Sequence, residues 1–337
     1  MQDDILRLAF EASRITGEKI AVIDKIMTRT QILSMNARLE ATRAGDAGRG
    51  FQIVAKEMGA VTDEVNALSA QLRQEIADNT AQIETAGQQM IRDFKGQRFA
   101  DIARNVVELI DRNLYERSCD VRWWATDSAV VNALQDEGAD ALSYACERLA
   151  TILRSYTVYL DLWVADRNGQ VVATGRGERF PNAVGQRVAQ EEWFVKGMKT
   201  ADGDDFAVCD IGRNSVLGNA QTATYSTAIR EGGKVNGQVL GVLGIFFDWE
   251  PQARDIVQGV ALSSEEKKGT RVMLVNSKRQ VIATSDKPCL LTEKYEFNPT
   301  QKQGYYSNGN RMISYALTPG YETYRGLGWY GCIESSL

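Results

Sequence analysis

The chain of 337 residues contains no histidine. The commonest general base and the commonest metal ligand are therefore absent, which excludes Ser-His-Asp hydrolysis and His-ligated haem. Its five cysteines, Cys119, Cys146, Cys209, Cys289 and Cys332, lie far apart and form no CxxC pair. That leaves no zinc ribbon and no thioredoxin-type site. An odd, scattered set suits a reducing compartment, with each thiol a small buried apolar residue. There is no nucleophile–base pair, phosphate loop or metal-ligand cluster, and no spacing singles out one pair of carboxylates as acid and base. The expectation is a protein that binds rather than catalyses, with no cofactor and no metal. Asp248 is the most suggestive group. It ends the apolar run Val239–Phe247, where a carboxylate is costly to bury unless it meets a cation or an N–H donor. An ammonium group or a purine N–H would satisfy it. Equally, Asp248 could cap a helix opening with Trp249-Glu250-Pro251.

Two compositions are joined in the chain. All five prolines lie at or beyond Pro181, and before residue 96 the only aromatic residues are Phe10, Phe51 and Phe94. The first part suits long helices, the remainder a mixed domain with strands and tight turns. Apolar residues at Val54, Met58, Val61, Val65, Leu68, Leu72 and Ile76 step by three or four, as do Ile23, Ile26, Thr30, Leu33 and Ala37. That rhythm predicts a seam against a partner helix. Between the arms, Arg43-Ala-Gly-Asp-Ala-Gly-Arg-Gly50 ends one helix and permits a reversal. An antiparallel hairpin buries only one stripe alone, so a homodimeric four-helix bundle is expected.

The segment Ile32-Leu-Ser-Met-Asn-Ala-Arg-Leu-Glu-Ala-Thr-Arg-Ala-Gly-Asp-Ala-Gly-Arg-Gly-Phe-Gln-Ile-Val-Ala-Lys-Glu-Met58 resembles the signalling tip of methyl-accepting chemotaxis proteins. The match spans about residues 23–58. The resemblance implies that Asn36, Glu40, Arg43, Arg49, Phe51, Val54 and Glu57 contact the chemotaxis histidine kinase and its coupling protein, in dimers and in trimers of dimers. Thr42, Arg38 and the Gly59-Ala-Val-Thr62 continuation depart from the family pattern.

Beyond residue 98, helical spacing at Phe99, Ile102, Val106, Leu109, Ile110, Leu114 and Val121 predicts one or two further helices. An internal repeat follows. Gln170-Val-Val-Ala-Thr174 returns as Gln280-Val-Ile-Ala-Thr284, each within a strand–turn–strand pattern. Two similar α/β lobes are therefore expected. With the Asp166–Gly169 hairpin, the Trp193-Phe194 pair and the strand ending at Asp248, this pattern resembles the double Cache domain over about residues 98–337. The predicted fold is α+β: a helical hairpin at 1–95 with its tip at 43–51, connecting helices at 96–155, a first, ligand-binding PAS-like lobe at 156–258 and a second at 259–337.

A PAS-like lobe implies a pocket between sheet and covering segment. The candidates are Tyr159, Asp161, Tyr225 and Asp248 from strands, Arg187, Trp193 and Phe194 from the cover, and Asp210 from the loop beyond, with Arg213 a further possibility. Aligned on Trp193, the amino-acid-binding Cache motif would need Arg where Glu191 stands and Tyr where Gln186 stands. An amine, a purine-like compound or another small polar metabolite is the expected ligand. Net charge −5 argues against a nucleic-acid-binding face across the whole protein. The longest apolar stretch is far short of the ~20 residues of a bilayer span, and the expected location is the cytoplasm. The leading function is a chemoreceptor-like sensor. The alternative is a dimeric scaffold whose hairpin only dimerises and whose lobes are structural.

Overall fold

The structure, a computed structural model, describes residues 2–135 and 138–336, with side chains from Arg7 onward. It divides into two compact units after Phe94. In the first, α1 (Gln2–Arg43) and the opening part of α2 (Arg49–Trp124) flank a single 3-10 turn, Gly45–Gly48. Gly45 takes a φ of +56°, and a Cβ on Gly48 would stand 2.1 Å from the Ala41 carbonyl oxygen. Only glycine lets the chain reverse this tightly.

The two arms meet along small residues. Ile20, Ser34 and Ala41 on α1, and Ala55, Thr62 and Ser69 on α2, are buried. The Ser34 hydroxyl donates to the Ala55 carbonyl at 2.6 Å, and Arg73 pairs with Asp24 across the arms. The seam predicted from the apolar steps behaves differently. Ile23, Ile26, Leu33, Val54, Val61, Leu68 and Leu72 are all exposed in the single chain. Apart from Ile20, the contact takes only small side chains, so these larger apolar residues turn to a separate stripe.

In the second unit, α2 continues to Trp124 and is followed by α3 (Ser128–Gln135) and α4 (Ala139–Ser155). The first lobe holds β1 (Tyr159–Asp166), β2 (Val171–Thr174), α5 (Glu192–Gly197), β3 (Ala207–Asn214), β4 (Ala220–Arg230) and β5 (Val239–Asp248). Helices α6 (Trp249–Gln258) and α7 (Ser264–Lys268) lead to the second lobe, with β6 (Thr270–Val275), β7 (Val281–Thr284), β8 (Gln303–Asn308), β9 (Arg311–Leu317) and β10 (Tyr330–Ser336). The two five-stranded sheets run β2-β1-β5-β4-β3 and β7-β6-β10-β9-β8, one strand order used twice. Even the irregularities repeat. Register shifts fall at Val164/Ala165 and at Leu274/Val275, and the left-handed turn position is Gly169 in one lobe and Arg279 in the other.

One face of α2 serves both lobes. Phe99, Ala103, Val106, Val107, Ile110, Leu114, Val121 and Trp124 share a core with Leu162, Tyr225, Ile245 and Phe247 of the first sheet and Val272, Leu274 and Ile333 of the second. The approach is close. A Cβ on Gly331 would stand 2.3 Å from the Ala103 carbonyl oxygen, and one on Gly96 would stand 2.3 Å from the Tyr305 ring.

Asp161 ties the edge hairpin of the first lobe. It is fully buried. Its carboxylate accepts from the N–H groups of Leu162 (2.8 Å), Gly175 (3.1 Å) and Arg176 (3.0 Å), from the Trp163 indole (2.9 Å) and from the Thr174 hydroxyl. Burial pushes its pKa up, and these donors oppose the shift. The equivalent place in the second lobe holds Arg271, which donates to Thr284 and pairs with Glu293 and Asp286. Asp161→Ala would remove an acceptor from three N–H groups, an indole and a hydroxyl. The expected cost is ~3 kcal/mol or more of folding stability, read from the urea unfolding midpoint. A loss within ordinary surface-substitution range, about 0.5 kcal/mol, would contradict this role.

Asp111, on the buried face of α2, accepts the Gly320 N–H at 2.7 Å through Oδ2, while Oδ1 has no partner among the described residues. Burial pushes its pKa up to about 6; the Gly320 bond opposes this, and Glu108 adds to it. Because the folded pKa lies above the ordinary 3.8, this carboxyl supports the fold only when protonated. Its contribution is complete below the ordinary value and is lost as pH rises through about 6. Asp111→Asn stays neutral. It should gain on the native chain by ~2 kcal/mol between pH 4 and pH 7 in parallel melts. A difference independent of pH would refute the assignment.

Candidate functional site

A cavity of about 280 Å³ opens in the first lobe, on the sheet face turned away from α2. Its floor is Trp163 on β1, Phe246 on β5, and Thr222 and Thr224 on β4. Strand alternation puts these on one face, while Tyr225, Ile245 and Phe247 point to the α2 core. The cover is Gln186, Arg187, Val188, Glu191, Glu192 and Trp193, and the β3 rim adds Asp210, Arg213 and Asn214. The size is at the lower end for a small-molecule site, which suits a compact ligand.

The aromatic floor is held tightly. The centroids of Trp163 and Phe246 lie 4.4 Å apart, and those of Trp193 and Phe246 lie 5.6 Å apart. A Cβ on Gly244 would stand 2.7 Å from the Trp193 ring, so that glycine leaves room for the indole. The Ser226 hydroxyl donates to the Trp193 carbonyl at 2.7 Å and anchors α5 on β4. Around this floor the charges are mixed. Glu192 pairs with Lys196 at 2.6 Å, and Arg213 donates to the Asn219 carbonyl at 2.9 Å. The side chains of Arg187 and Glu191 have no hydrogen-bond or ion-pair partner among the described residues, which leaves a cation and an anion free at the rim. Asp210 accepts its neighbour Ile211 N–H at 2.9 Å and, through the other oxygen, the Asn276 amide of the second lobe at 2.8 Å. The cavity thus touches a group hydrogen-bonded across the lobes. Burial pushes the Cys209 thiol up to about 12, so this lining residue is an inert thiol at neutral pH.

Of the residues expected from sequence, Arg187, Trp193 and Asp210 line the cavity, as does Arg213, the further possibility. The others lie elsewhere. Tyr159 faces α2, donates to Asp120 at 2.5 Å, and packs on Trp124 and Phe247. Tyr225 is buried on that same face, its hydroxyl 3.5 Å from that of Tyr324. Asp161 is consumed by its cage of donors. Phe194 stands behind Trp193, ring against ring at 6.0 Å. Asp248 stands at the N-cap position of α6 without a side-chain capping bond, its pKa raised by burial with Arg179 and Arg176 opposing. Trp163, Thr222, Thr224 and Phe246 were missed. Alternation along Phe246-Phe247 and Thr222–Thr224 could have found them, had the face turned away from the helix been assigned first.

At the hairpin turn, Asn36, Glu40, Arg43, Arg49, Phe51, Val54 and Glu57 are all exposed. Arg43 pairs with Glu40 at 2.6 Å and Arg49 with Asp46 at 3.2 Å. Phe51 is 73% exposed, an aromatic ring left outside the hairpin's own seam.

Comparison with known proteins gives a family match for the first part and a shared fold for the second. Residues 3–121 match the family model of the methyl-accepting chemotaxis protein signalling domain. The chain is 46% identical over 63 residues to Frizzy aggregation protein FrzCD of Myxococcus xanthus, which covers 19% of this chain and 15% of that protein. It is 26% identical over 155 residues to methyl-accepting chemotaxis protein McpA of Pseudomonas putida, 40% of this chain and 24% of that one. The chain therefore spans less than a quarter of the length of these relatives. Among solved structures, the sensor domain of the V. cholerae histidine kinase DctB superposes with a TM-score of 0.53 at 12% identity, over 72% of this chain and 96% of that one. The ligand-binding domain of the Campylobacter jejuni chemoreceptor Tlp3, in complex with 4-methylisoleucine, gives 0.52 at 16% identity, over 71% and 90%. No described helix is long and apolar enough to cross a membrane. Residues 3–121 thus match a methyl-accepting chemotaxis protein signalling domain, and the part that follows has the two-lobed α+β fold seen in Cache-type sensor domains.

Proposed function

We propose that this chain is a chemoreceptor-type sensor that binds a small polar metabolite in its first lobe and signals through the hairpin turn to the chemotaxis histidine kinase and its coupling protein. The observation that carries the reading is the first-lobe cavity: an aromatic floor with a free Arg187 and a free Glu191 at the rim. A compact ligand with both donor and acceptor groups complements that lining. The second lobe offers a contrast that favours a single primary site. There the Arg279 guanidinium stacks 4.3 Å from the Phe297 centroid and 5.5 Å from that of Tyr330, and Met273, Tyr295, Tyr315 and Cys332 complete a filled core.

A signal needs two states with unequal affinity for the ligand. Two connections are suited to carry the difference. Asp210 is shared between the cavity rim and Asn276 of the second lobe, so a ligand donor that captures Asp210 competes with that bond. Trp124, at the end of α2, packs on Tyr156 and Tyr159 of the first lobe, and α2 begins at the hairpin turn. The exposed apolar stripe of the hairpin is the surface for dimerisation into a four-helix bundle, and trimers of such dimers would group the turns.

Two outcomes are expected. First, a panel of amines, purines, organic acids and sugars should contain a compound that raises the melting temperature. At a hundredfold excess over Kd the stabilisation is ~2.7 kcal/mol, and Trp193→Ala or Arg187→Ala should abolish it. A silent panel counts against the pocket. Second, the chain should be retained by immobilised coupling protein and kinase. Phe51→Ala and Arg43→Ala alter only exposed side chains, so they should cut retention while leaving the circular dichroism melt unchanged. No retention of the native chain would favour a scaffold.

A further inference from the structure

We propose a second ligand site in the first lobe, separate from the cavity above, that takes a small organic carboxylate with an apolar body. A second cavity, of about 330 Å³, lies where the end of α2 meets the loop after α5, the end of β4 and the β4–β5 turn. It shares no lining residue with the first. Its cations are Arg122, Arg230 and Lys234; its one carboxylate is Asp204; its apolar surface comes from Trp123, Ala125, Ala228 and Val235.

The charge balance calls for an anion. Arg230 is only 8% exposed, yet it has no carboxylate partner among the described residues. Two of its N–H donors go to the carbonyls of Thr200 (2.7 Å) and Gly237 (3.2 Å), and Nε has no partner. Arg122, half-buried, also has no carboxylate partner among the described residues: it donates to the Ser118 and Asp204 carbonyls at 2.8 and 3.2 Å and to Cys119 Sγ at 3.5 Å, and lies over the Phe206 ring. Lys234 makes no ion pair among the described residues. The nearby loop acids are already engaged by main chain, Asp205 by the Ala201 and Phe206 N–H groups and Asp202 by that of Asp204. A buried guanidinium that meets only carbonyl dipoles leaves positive potential in a low-dielectric corner, and a carboxylate would neutralise it through charge-assisted bonds.

The walls are built without a ligand. Gly203 N–H donates to the Val235 carbonyl at 2.9 Å, fastening the two loops. Gly233, at a φ of +65°, brings its turn to 3.1 Å from the Thr126 carbonyl oxygen, measured from an added Cβ. Trp123, 68% exposed, presents its indole beside the cations. That pairing of guanidinium groups with an aromatic wall selects an anion carrying an apolar body over a bare inorganic one.

Benzoate is the probe, titrated into the full chain, with benzyl alcohol as its neutral counterpart and inorganic phosphate as the bare anion. Tryptophan fluorescence and melting temperature are the readouts. Benzoate should bind saturably and benzyl alcohol should not. Arg122→Gln and Lys234→Gln should each weaken benzoate by about tenfold, with Arg230 left intact because it also ties Thr200 to Gly237. Trp123→Phe should remove the fluorescence response but keep the thermal one. Trp193→Ala, in the other cavity, should leave benzoate binding unchanged, which separates this site from the sensory pocket. The proposal is overturned by no saturable benzoate response, by benzoate binding indifferent to both cation substitutions, or by phosphate binding as tightly as benzoate.

Discussion

A single helix face has to satisfy two sheets. From Phe99 to Trp124, α2 presents one apolar stripe, and the inner faces of both lobes close on it. Each sheet is apolar on the side that meets the helix and cannot leave that side in water without losing ~25 cal/mol for every Å² of apolar surface. Small residues make the contact possible. Ala103 lies against Gly331, and Gly96 against the Tyr305 ring, at distances that exclude any larger side chain. With one face of each sheet committed to the helix, a cavity floored by the middle of a sheet can form only on the opposite face.

The two opposite faces diverge although the strand order is shared. At the turn between the paired edge strands, the first lobe has Gly169 and the second Arg279, both left-handed. The first lobe gains a close approach of its covering segment to the turn. In the second, the arginine side chain lies over Phe297 and Tyr330. At the edge, Asp161 collects donors where Arg271 distributes them. A duplicated frame thus carries one open face and one filled face.

The hairpin obeys the same packing logic with different residues. Its backbones come together on Ser34, Ala41, Ala55, Thr62 and Ser69, each deeply buried. The larger apolar side chains of both arms are left outside that contact. A stripe of exposed Ile, Leu and Val on two long helices is unfavourable for a solitary chain, and it supplies the surface that association would cover.

Much of this was legible along the chain. The glycine-rich reversal, the helical arms and the two-lobed repeat follow from residue type and spacing, because turns and amphipathic periods are local properties. Arg187, Trp193 and Asp210 were reachable because they sit in or just beyond the segment around the Trp193-Phe194 pair that a PAS-like lobe folds over its sheet. Tyr159, Asp161 and Tyr225 could not be assigned from sequence. Alternation says that two faces of a strand differ but not which face meets the helix, and a buried carboxylate looks the same in sequence whether it awaits a ligand or is already surrounded by donors. Which heptad stripe closes the hairpin, and which lobe keeps a cavity, are likewise matters of volume between elements distant in the chain. Local pattern specified the elements and their order; only packing decided which of their faces were left free.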